Sequence, residues 1–540
     1  MASKTDKTPN TPDVDAPPAR QAGFGGFLRD VLIVLVLGGA AVYWYLGYTE
    51  TQEEIAKRTL DARTEMNRHD LKSLQDAEKL YREILTLEAG HAPSAAGLAR
   101  TLYYQHEHGL DTLGEAKSML QQARSGEAET PSRYAAEGFL MVADGQAERA
   151  VAQVKEWLEG GRAAPPVAHA LAVAHLANGD YIESNRVARQ AKEADFSNIA
   201  VRLTMAESSQ RNGQDREAIK DLSAVVRNNA NAEHFLAKAW LAALRAKNYG
   251  VLDRPLSLLN ELNELKEKQP DRIGPRTKTF ITWGEGELSL AVGNAEGAIE
   301  KADAALKELP NFAPLLDLKA RSFVALGKND EAMAAYDAAV AVKPTYRGIK
   351  WDYARLKSKQ GDDEALALVE DLEKTDPAKY KGPDYLVFKA EHALNKGNLE
   401  EAMELFKAAA EEGDSADILF GIAKVTFLEE KENGKKADIE KVTLAFQDAL
   451  NKKKRYPELH EYLAGVNLWN YLVEGAHGSL SQAESQYKAL KKPIPEIVAF
   501  YDRAIATFEN AEPKVRREAS KFAEEWKQKK QEFLGSLQSS

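Results

Sequence analysis

The sequence predicts an all-α protein, in which a superhelical solenoid of helical hairpins follows one N-terminal transmembrane helix. Three observations support this prediction. The 540 residues are 44% hydrophobic and 29% charged, with 35 glycines and 20 prolines, a balance typical of a folded helical chain. One uncharged run near the N-terminus is long enough to cross a membrane. Glycine and alanine recur at an interval of 34 residues in both halves of the remaining chain.

Charge and cysteine content exclude several classes of protein. The formal net charge is -11, from 72 Lys and Arg against 83 Asp and Glu, which argues against non-specific attraction to nucleic acid. The chain has no cysteine, which excludes disulfides, thiol nucleophiles and cysteine-ligated metals. We therefore expect neither a nucleic-acid partner nor sulfur chemistry.

The N-terminal residues divide into a tail and a membrane span. Residues 1–26 are mostly small or polar and are predicted to be a disordered tail. Residues 27–48 are predicted to be the transmembrane helix, because Val31–Tyr48 carries no charge and would extend about 27 Å as a helix. The span ends in Tyr43, Trp44, Tyr45 and Tyr48, rings typical of the membrane–water interface.

Flanking charge predicts the orientation of this span. Arg29 lies close to the N-terminal side of the uncharged run Val31–Tyr48, whereas Glu50 and Glu53 are the first charges after this run. The N-terminus is therefore expected in the cytoplasm and the repeats, in a bacterium, in the periplasm. A cleaved signal peptide is the alternative, because small residues follow the short apolar run at Gly38–Ala41. The apolar run continues beyond those small residues, which favours a retained anchor.

A repeat of 34 residues governs most of the remaining chain. Gly145, Gly179 and Gly213 keep this interval, and so do Gly293 and Gly327. Small residues at facing positions let two antiparallel helices approach closely, and a proline ends the second helix. The clearest unit, residues 313–346, contains Ala320, Phe323, Gly327, Ala332, Tyr336, Ala339 and Pro344.

This pattern resembles the tetratricopeptide repeat (TPR) family, whose unit is a helix–turn–helix with small residues at positions 8, 20 and 27. The resemblance is strongest over residues 279–414 and implies a related N-terminal array over residues 49–250. The register breaks between them, so residues 251–278 are predicted to form an irregular helical joint. Residues 415–540 are predicted to contain degenerate repeats and C-terminal capping helices.

The resemblance to single-anchor TPR proteins of bacterial envelopes implies a membrane-anchored adaptor or scaffold. Such a protein would bind a protein partner in assembly, secretion or chaperone-like work. Mitochondrial outer-membrane import receptors are similar in layout and grip acidic tails through Lys and Asn at positions 5 and 9 of the first helix. That clamp is absent here, since these positions hold Trp283/Glu287, Asp317/Arg321, Trp351/Arg355 and Val387/Glu391.

Four of these residues are predicted to line the partner-binding groove: Trp283, Arg321, Trp351 and Arg355. Tryptophan and arginine dominate binding hot spots, because each buries a large area and makes directional contacts. Core packing is the alternative for the two tryptophans, because a register slip of one residue would bury both. The arginines are less ambiguous, since fully buried unpaired guanidinium groups are rare.

No catalytic, cofactor-binding or metal-binding motif is recognisable. We therefore expect no enzyme activity, no cofactor, no bound metal and no small-molecule substrate. His106 and His108 lie two residues apart, roughly 200° around a helix, so they cannot readily ligate one metal. Two alternatives stay open: an envelope enzyme with its catalytic part in residues 415–534, and a purely structural spacer.

Overall fold

The computed structural model describes residues 24–126, 129–227, 234–248, 252–432, 439–453, 455–490, 492 and 494–538. Contacts divide the chain into two compact units, Met1–Leu60 and Asp61–Ser540. The predicted disordered tail, residues 1–26, lies outside the described residues except for its last three. Those three already belong to the first helix, α1 (Phe24–Arg68).

The described part of the first unit is the N-terminal portion of α1. Its apolar side chains are exposed along the predicted span, including Leu35 at 67% and Trp44 at 69%. Trp44 stacks on Tyr48, with the ring centroids 5.6 Å apart. The helix is long enough and apolar enough to span a membrane, with a mean hydropathy of 1.9. It continues past the apolar run without a break, and its last residues, 61–68, belong to the second unit.

The second unit is built from α-helices, and its described residues contain no β-strand. Apart from the end of α1, the helices of its first half are α2 (Leu71–Leu87), α3 (Ala92–Glu107), α4 (Leu113–Ser125), α5 (Pro131–Ala143), α6 (Ala147–Glu159), α7 (Pro165–Asn178), α8 (Tyr181–Ala194), α9 (Ile199–Arg211), α10 (Asp215–Arg227), α11 (Phe235–Asn248) and α12 (Asp253–Lys268). A 3₁₀ turn, Pro270–Arg272, follows α12.

The second half continues as α13 (Pro275–Ala291), α14 (Ala295–Glu308), α15 (Ala313–Ala325), α16 (Asn329–Ala341), α17 (Arg347–Lys359), α18 (Glu364–Thr375), α19 (Pro377–Tyr380), α20 (Pro383–Asn395), α21 (Leu399–Glu412), α22 (Ala416–Glu432), α23 (Ile439–Lys452), α24 (Pro457–Trp469), α25 (Val473–Ala489), α26 (Ile494–Glu509) and α27 (Arg516–Gln538). Successive helices pack against one another in pairs along the chain, so the predicted all-α solenoid of hairpins is confirmed.

The side chains that revealed the repeat hold the hairpins together. Ala320, Ala332 and Ala339 are completely buried between α15, α16 and their neighbours, and Tyr336 stacks on Tyr353 of the next repeat. The turn glycines have left-handed backbones, with φ of 70° at Gly327 and similar values at the equivalent turns. Glycine adopts this conformation without steric cost, which explains its recurrence. The TPR-type packing predicted for residues 313–346 is confirmed.

The regions outside the strongest run are also helical hairpins. The segment predicted as an irregular joint contains a regular helix, α12, which buries Leu259 and Leu262 against α11 and α13. At the C-terminus α22 packs on α23, α24 on α25 and α26 on α27. Phe500, Tyr501 and Trp526 lie in the core of the last of these pairs.

Replacing Ala332 or Ala339 with leucine should destabilise the repeats around α15 and α16 by about 1–3 kcal/mol, because the added methylenes must enter a filled helix contact. Hydrogen exchange should accelerate in α15 and α16 and stay unchanged in α24 and α25, since repeats contact mainly their neighbours and α24 and α25 pack among the C-terminal helices α22–α27. Ala338, on the exposed face of the same helix, provides the control. Equal behaviour of all three variants would contradict the repeat register.

Candidate functional site

The residues at positions 5 and 9 lie on the first helices of successive repeats, α13, α15 and α17. Residues four apart share one face of a helix, and the 34-residue repeat places equivalent faces side by side. The structure brings Arg321 between two carboxylates on this shared face. Its Nε donates to Asp317 Oδ2 at 3.0 Å, and its Nη2 donates to Glu287 Oε1, on the preceding repeat, at 2.5 Å.

A lysine from an earlier repeat completes this group of charges. Lys247, at the end of α11, places Nζ 3.2 Å from Asp317 Oδ2 and 3.6 Å from Asp215 Oδ2. We call these five residues, Asp215, Lys247, Glu287, Asp317 and Arg321, the ion network. The side chains of Glu287 and Asp317 are only 1% exposed. The network therefore joins charged side chains from α10, α11, α13 and α15, and its central carboxylates are shielded from solvent.

Opposite charges keep the network ionised despite its burial. Burial alone would raise the pKa of Asp317, but the positive charges of Arg321 and Lys247 hold this pKa below its ordinary value. Burial likewise opposes the charged form of Arg321, yet Asp317 and Glu287 raise its pKa well above the ordinary range. Glu287 Oε2 and Asp317 Oδ1 still have no hydrogen-bond partner among the described residues.

Two of the four predicted groove residues are engaged inside the chain. Trp283 is completely buried, and its ring packs edge-to-face against Phe280 and Phe312. Its Nε1 donates to Glu287 Oε1 at 2.9 Å. Trp283 thus takes the core position that the sequence left open as an alternative, and Arg321 pairs with carboxylates of its own chain.

The other two predicted residues stay accessible. Trp351 is half-buried, with its ring centroid 5.5 Å from that of Tyr380 and 5.2 Å from that of Phe388. Arg355, one helical turn further along α17, is exposed and makes no hydrogen bond or ion pair with the described residues. These two side chains can meet a partner without any change in the fold.

Trp351 also lines a cavity of about 600 Å³ between two distant segments of the second unit. One segment is the α9–α10 turn with the end of α11, and the other comprises the starts of α15, α17 and α20 together with α19. Charged and aromatic residues of the wall include Asp215, Arg216, Glu217, Lys247, Tyr346, Trp351, Asp352, Lys379, Tyr380, Asp384 and Tyr385.

Direct contacts hold the two segments together around this cavity. Arg347 Nη1 donates to Asn212 Oδ1 at 2.8 Å, and Lys379 Nζ donates to the Asn212 carbonyl at 2.6 Å. At Gly213 the backbone has φ of 70°, and an added Cβ would lie 2.9 Å from Gly348 Cα. Glycine is therefore required at position 213 both by the turn and by the close approach of the two backbones.

Sequence reasoning missed most of this site. Lys247, Asp352 and Tyr380 occupy no shared motif, and the contact between α9 and α17 joins residues more than 130 positions apart. One signal was present in the sequence. Glu287 and Arg321 have opposite charges at position 9 of adjacent repeats, which predicts an ion pair between the repeats.

Comparisons with known proteins concern the fold. No protein-family model and no curated protein matches this chain. Among solved structures, Cut9 in the APC/C hetero-tetramer Cut9-Hcn1 is 12% identical, with 80% of this chain and 93% of that chain covered and a TM-score of 0.37. Yeast Tom70 is 15% identical, with 70% and 95% covered and a TM-score of 0.31.

A third solved structure is human IFIT1, as a dimer with PPP-AAAA. It is 16% identical, with 78% of this chain and 94% of that chain covered and a TM-score of 0.40. These three neighbours are TPR proteins, and this chain is likewise a helical repeat array. None of these likenesses indicates a ligand or a reaction for this chain.

Proposed function

We propose that this protein is a membrane-anchored scaffold of a bacterial cell envelope, whose repeats hold a protein partner in assembly, secretion or chaperone-like work. The observation that carries the proposal is the pair Trp351 and Arg355, presented on one face of α17 beside the cavity. Helix α1 would be the retained anchor, with the N-terminus in the cytoplasm and the repeats in the periplasm.

The repeats that precede α17 are tightly packed, as expected if α17 presents a preformed binding surface. Rigid surfaces lose less conformational entropy on binding, so more of the contact energy appears as affinity. The ion network and the buried Trp283 pack against the preceding repeats and stiffen α13 and α15. In this proposal Trp283 and Arg321 support the site from within, while Trp351 and Arg355 contact the partner.

The described residues offer little for the catalytic alternative. The described parts of residues 415–534 form hairpins around aromatic cores, and no group of three His, Asp or Glu side chains there is arranged to hold a metal ion. The scaffold function, in contrast, requires only an accessible binding face, which α17 presents, and the membrane anchor α1.

The first test is site-specific photocrosslinking in membranes. A photoreactive residue at the exposed position of Lys359, one turn beyond Arg355, should give discrete protein adducts, and Arg355→Glu should abolish them. Because Arg355 is exposed and makes no hydrogen bond or ion pair with the described residues, its replacement should leave the melting temperature nearly unchanged. A photoreactive residue at exposed Asp330 and the charge reversal Lys328→Glu are the matched controls. The same adducts at both positions, or adducts unaffected by Arg355→Glu, would place the partner elsewhere.

Protease accessibility tests the proposed orientation of α1 in the membrane. Protease added to the periplasmic face of opened cells should digest the repeats. Digestion from the cytoplasmic side alone would refute the orientation, and a soluble chain starting near Ala41 would show that the anchor is cleaved.

A further inference from the structure

The cavity contains a carboxylate without a partner. Asp352 lies on α17 next to Trp351, lines the cavity and makes no hydrogen bond or ion pair with the described residues. Burial raises its pKa above the ordinary value, and the positive charges of Lys247, Arg321 and Arg355 offset this only in part. A half-buried carboxylate that no direct ion pair neutralises is costly, so a cationic group that pairs with it in the cavity would be stabilised there.

Aromatic rings form the wall beside this carboxylate. The rings of Trp351 and Tyr380 lie 5.5 Å apart and both face the cavity, and Tyr385 lies in the same wall. Aromatic faces attract cations, so this wall favours a positively charged guest.

The two half-buried cations of the cavity wall, Lys247 and Lys379, already have partners. Lys247 pairs with Asp215 and Asp317, and Lys379 Nζ donates to the carbonyls of Asn212 and Gly213 while lying over the Tyr380 ring. Arg216 is exposed at the edge. The charged side chains of the wall are four carboxylates, Asp215, Glu217, Asp352 and Asp384, against three cations, Arg216, Lys247 and Lys379. The wall therefore has a net charge of -1, which favours a cationic guest over an acidic one.

We infer that this cavity binds one arginine side chain from an extended segment of the protein partner, with the guanidinium pairing with Asp352 and lying on Trp351. Arginine is chosen over lysine because its planar group stacks on an aromatic ring while donating to several acceptors. The inference rests on the proposed scaffold function and adds the chemistry of the partner. Asp352 would supply charge selectivity, and Trp351 would supply most of the contact area.

The test uses the full chain in lipid nanodiscs and end-blocked pentapeptides as probes. Gly-Gly-Arg-Gly-Gly is compared with analogues that carry citrulline, lysine or glutamate at the centre, and binding is followed by saturation-transfer NMR. The arginine peptide should bind at least tenfold more tightly than the citrulline and glutamate peptides. Asp352→Asn should remove this preference, Asp352→Glu should retain part of it, and Asp330→Asn on the exposed surface should leave it intact.

The variants should fold, because Asp352 makes no hydrogen bond or ion pair with the described residues that asparagine would break, and their melting temperatures check this. Equal binding of the arginine and citrulline peptides, or unchanged binding by Asp352→Asn, would overturn the inference. Equal binding of the lysine peptide would overturn the choice of arginine.

The two proposals can fail separately. If the arginine peptide binds as expected but position 359 yields no adduct, the cavity chemistry stands and the scaffold function fails. If adducts form at position 359 and persist in Asp352→Asn, the scaffold function stands and the arginine site fails.

Discussion

Replacing Arg321 with alanine should lower the free energy of unfolding of the central repeats by about 3–5 kcal/mol, because it removes one partner of a buried ion pair and leaves the other charges uncompensated. Among the described residues, Glu287 would lose its one ion-pair partner, and Asp317 would keep Lys247 alone. Both carboxylates are almost fully buried, so water cannot replace the guanidinium. Chemical denaturation followed by the fluorescence of buried Trp283 should report the loss.

Arg355→Ala is the matched control, because Arg355 lies at the equivalent position of the next repeat but is exposed and unpaired. It should change the stability by less than about 0.5 kcal/mol. Combining Arg321→Ala with Glu287→Gln and Asp317→Asn should recover much of the loss, since no unpaired carboxylate would then stay buried. Similar effects of the two arginine substitutions would show that the ion network does not stabilise the fold.

Lowering the pH from about 6.5 to about 4 should weaken the contact between the first repeat and α11. Three buried histidines meet there: His69 before α2, His108 at the end of α3 and His234 before α11. Their ring centroids lie 5.4 Å apart for His69 and His108, 6.1 Å for His69 and His234, and 6.2 Å for His108 and His234. Each of the three residues is at most 3% exposed.

The rings of His108 and His234 are suited to the neutral form. Burial, followed by the neighbouring His69, lowers the pKa of His234 to about 4, although Asp70 acts in the opposite direction. Burial also lowers the pKa of His108 well below its ordinary value, and His69, His234 and Arg276 add to this effect. His234 Nδ1 accepts a hydrogen bond from the Ala237 backbone N–H at 3.2 Å, which a proton on that nitrogen would abolish.

The sign of the effect follows from proton binding. In the unfolded chain a histidine binds a proton below about pH 6.5, whereas folded His234 does so only near pH 4, so the unfolded state binds more protons between these values. Stability therefore falls as the pH decreases through this window, by roughly 3 kcal/mol for His234, and the contribution levels off below it.

Melting curves recorded between pH 7 and pH 4 should show this loss, and His234→Gln should flatten it. His106→Gln is the control, because His106 lies only two residues from His108 but is exposed. An unchanged pH profile in His234→Gln would assign the acid sensitivity to other groups.

The repeat itself could be predicted from the sequence, because its cause is local. Ala332 and Ala339 recur since two helices of one hairpin touch at those positions, and Gly327 recurs since the turn needs a left-handed residue. The N-terminal apolar helix could be predicted for the same reason, because Val31–Tyr48 is one continuous stretch of sequence. Helical periodicity predicts which side of a helix is small or apolar, and the hairpin follows from that.

The candidate site was predictable only in part. Positions 5 and 9 do place Asp317, Arg321, Trp351 and Arg355 on adjacent helices, as the repeat register predicts. The same register could not distinguish buried Trp283 from half-buried Trp351, because both are tryptophans at position 5. Their difference comes from the neighbouring elements, since Trp283 packs into the large core that contains α11 and Phe312, whereas Trp351 borders the cavity.

The sequence by itself determined the hairpins, the apolar N-terminal helix and the chemistry available at each repeat position. Only the tertiary structure decided which of those side chains are free to bind. Lys247 reaches Asp317, His69 reaches His234 and Asn212 reaches Arg347 through contacts between repeats far apart in the chain. Such contacts depend on small rotations accumulated from one repeat to the next. No single unit encodes that accumulated rotation, so the cavity with Asp352 emerges only from the assembled array.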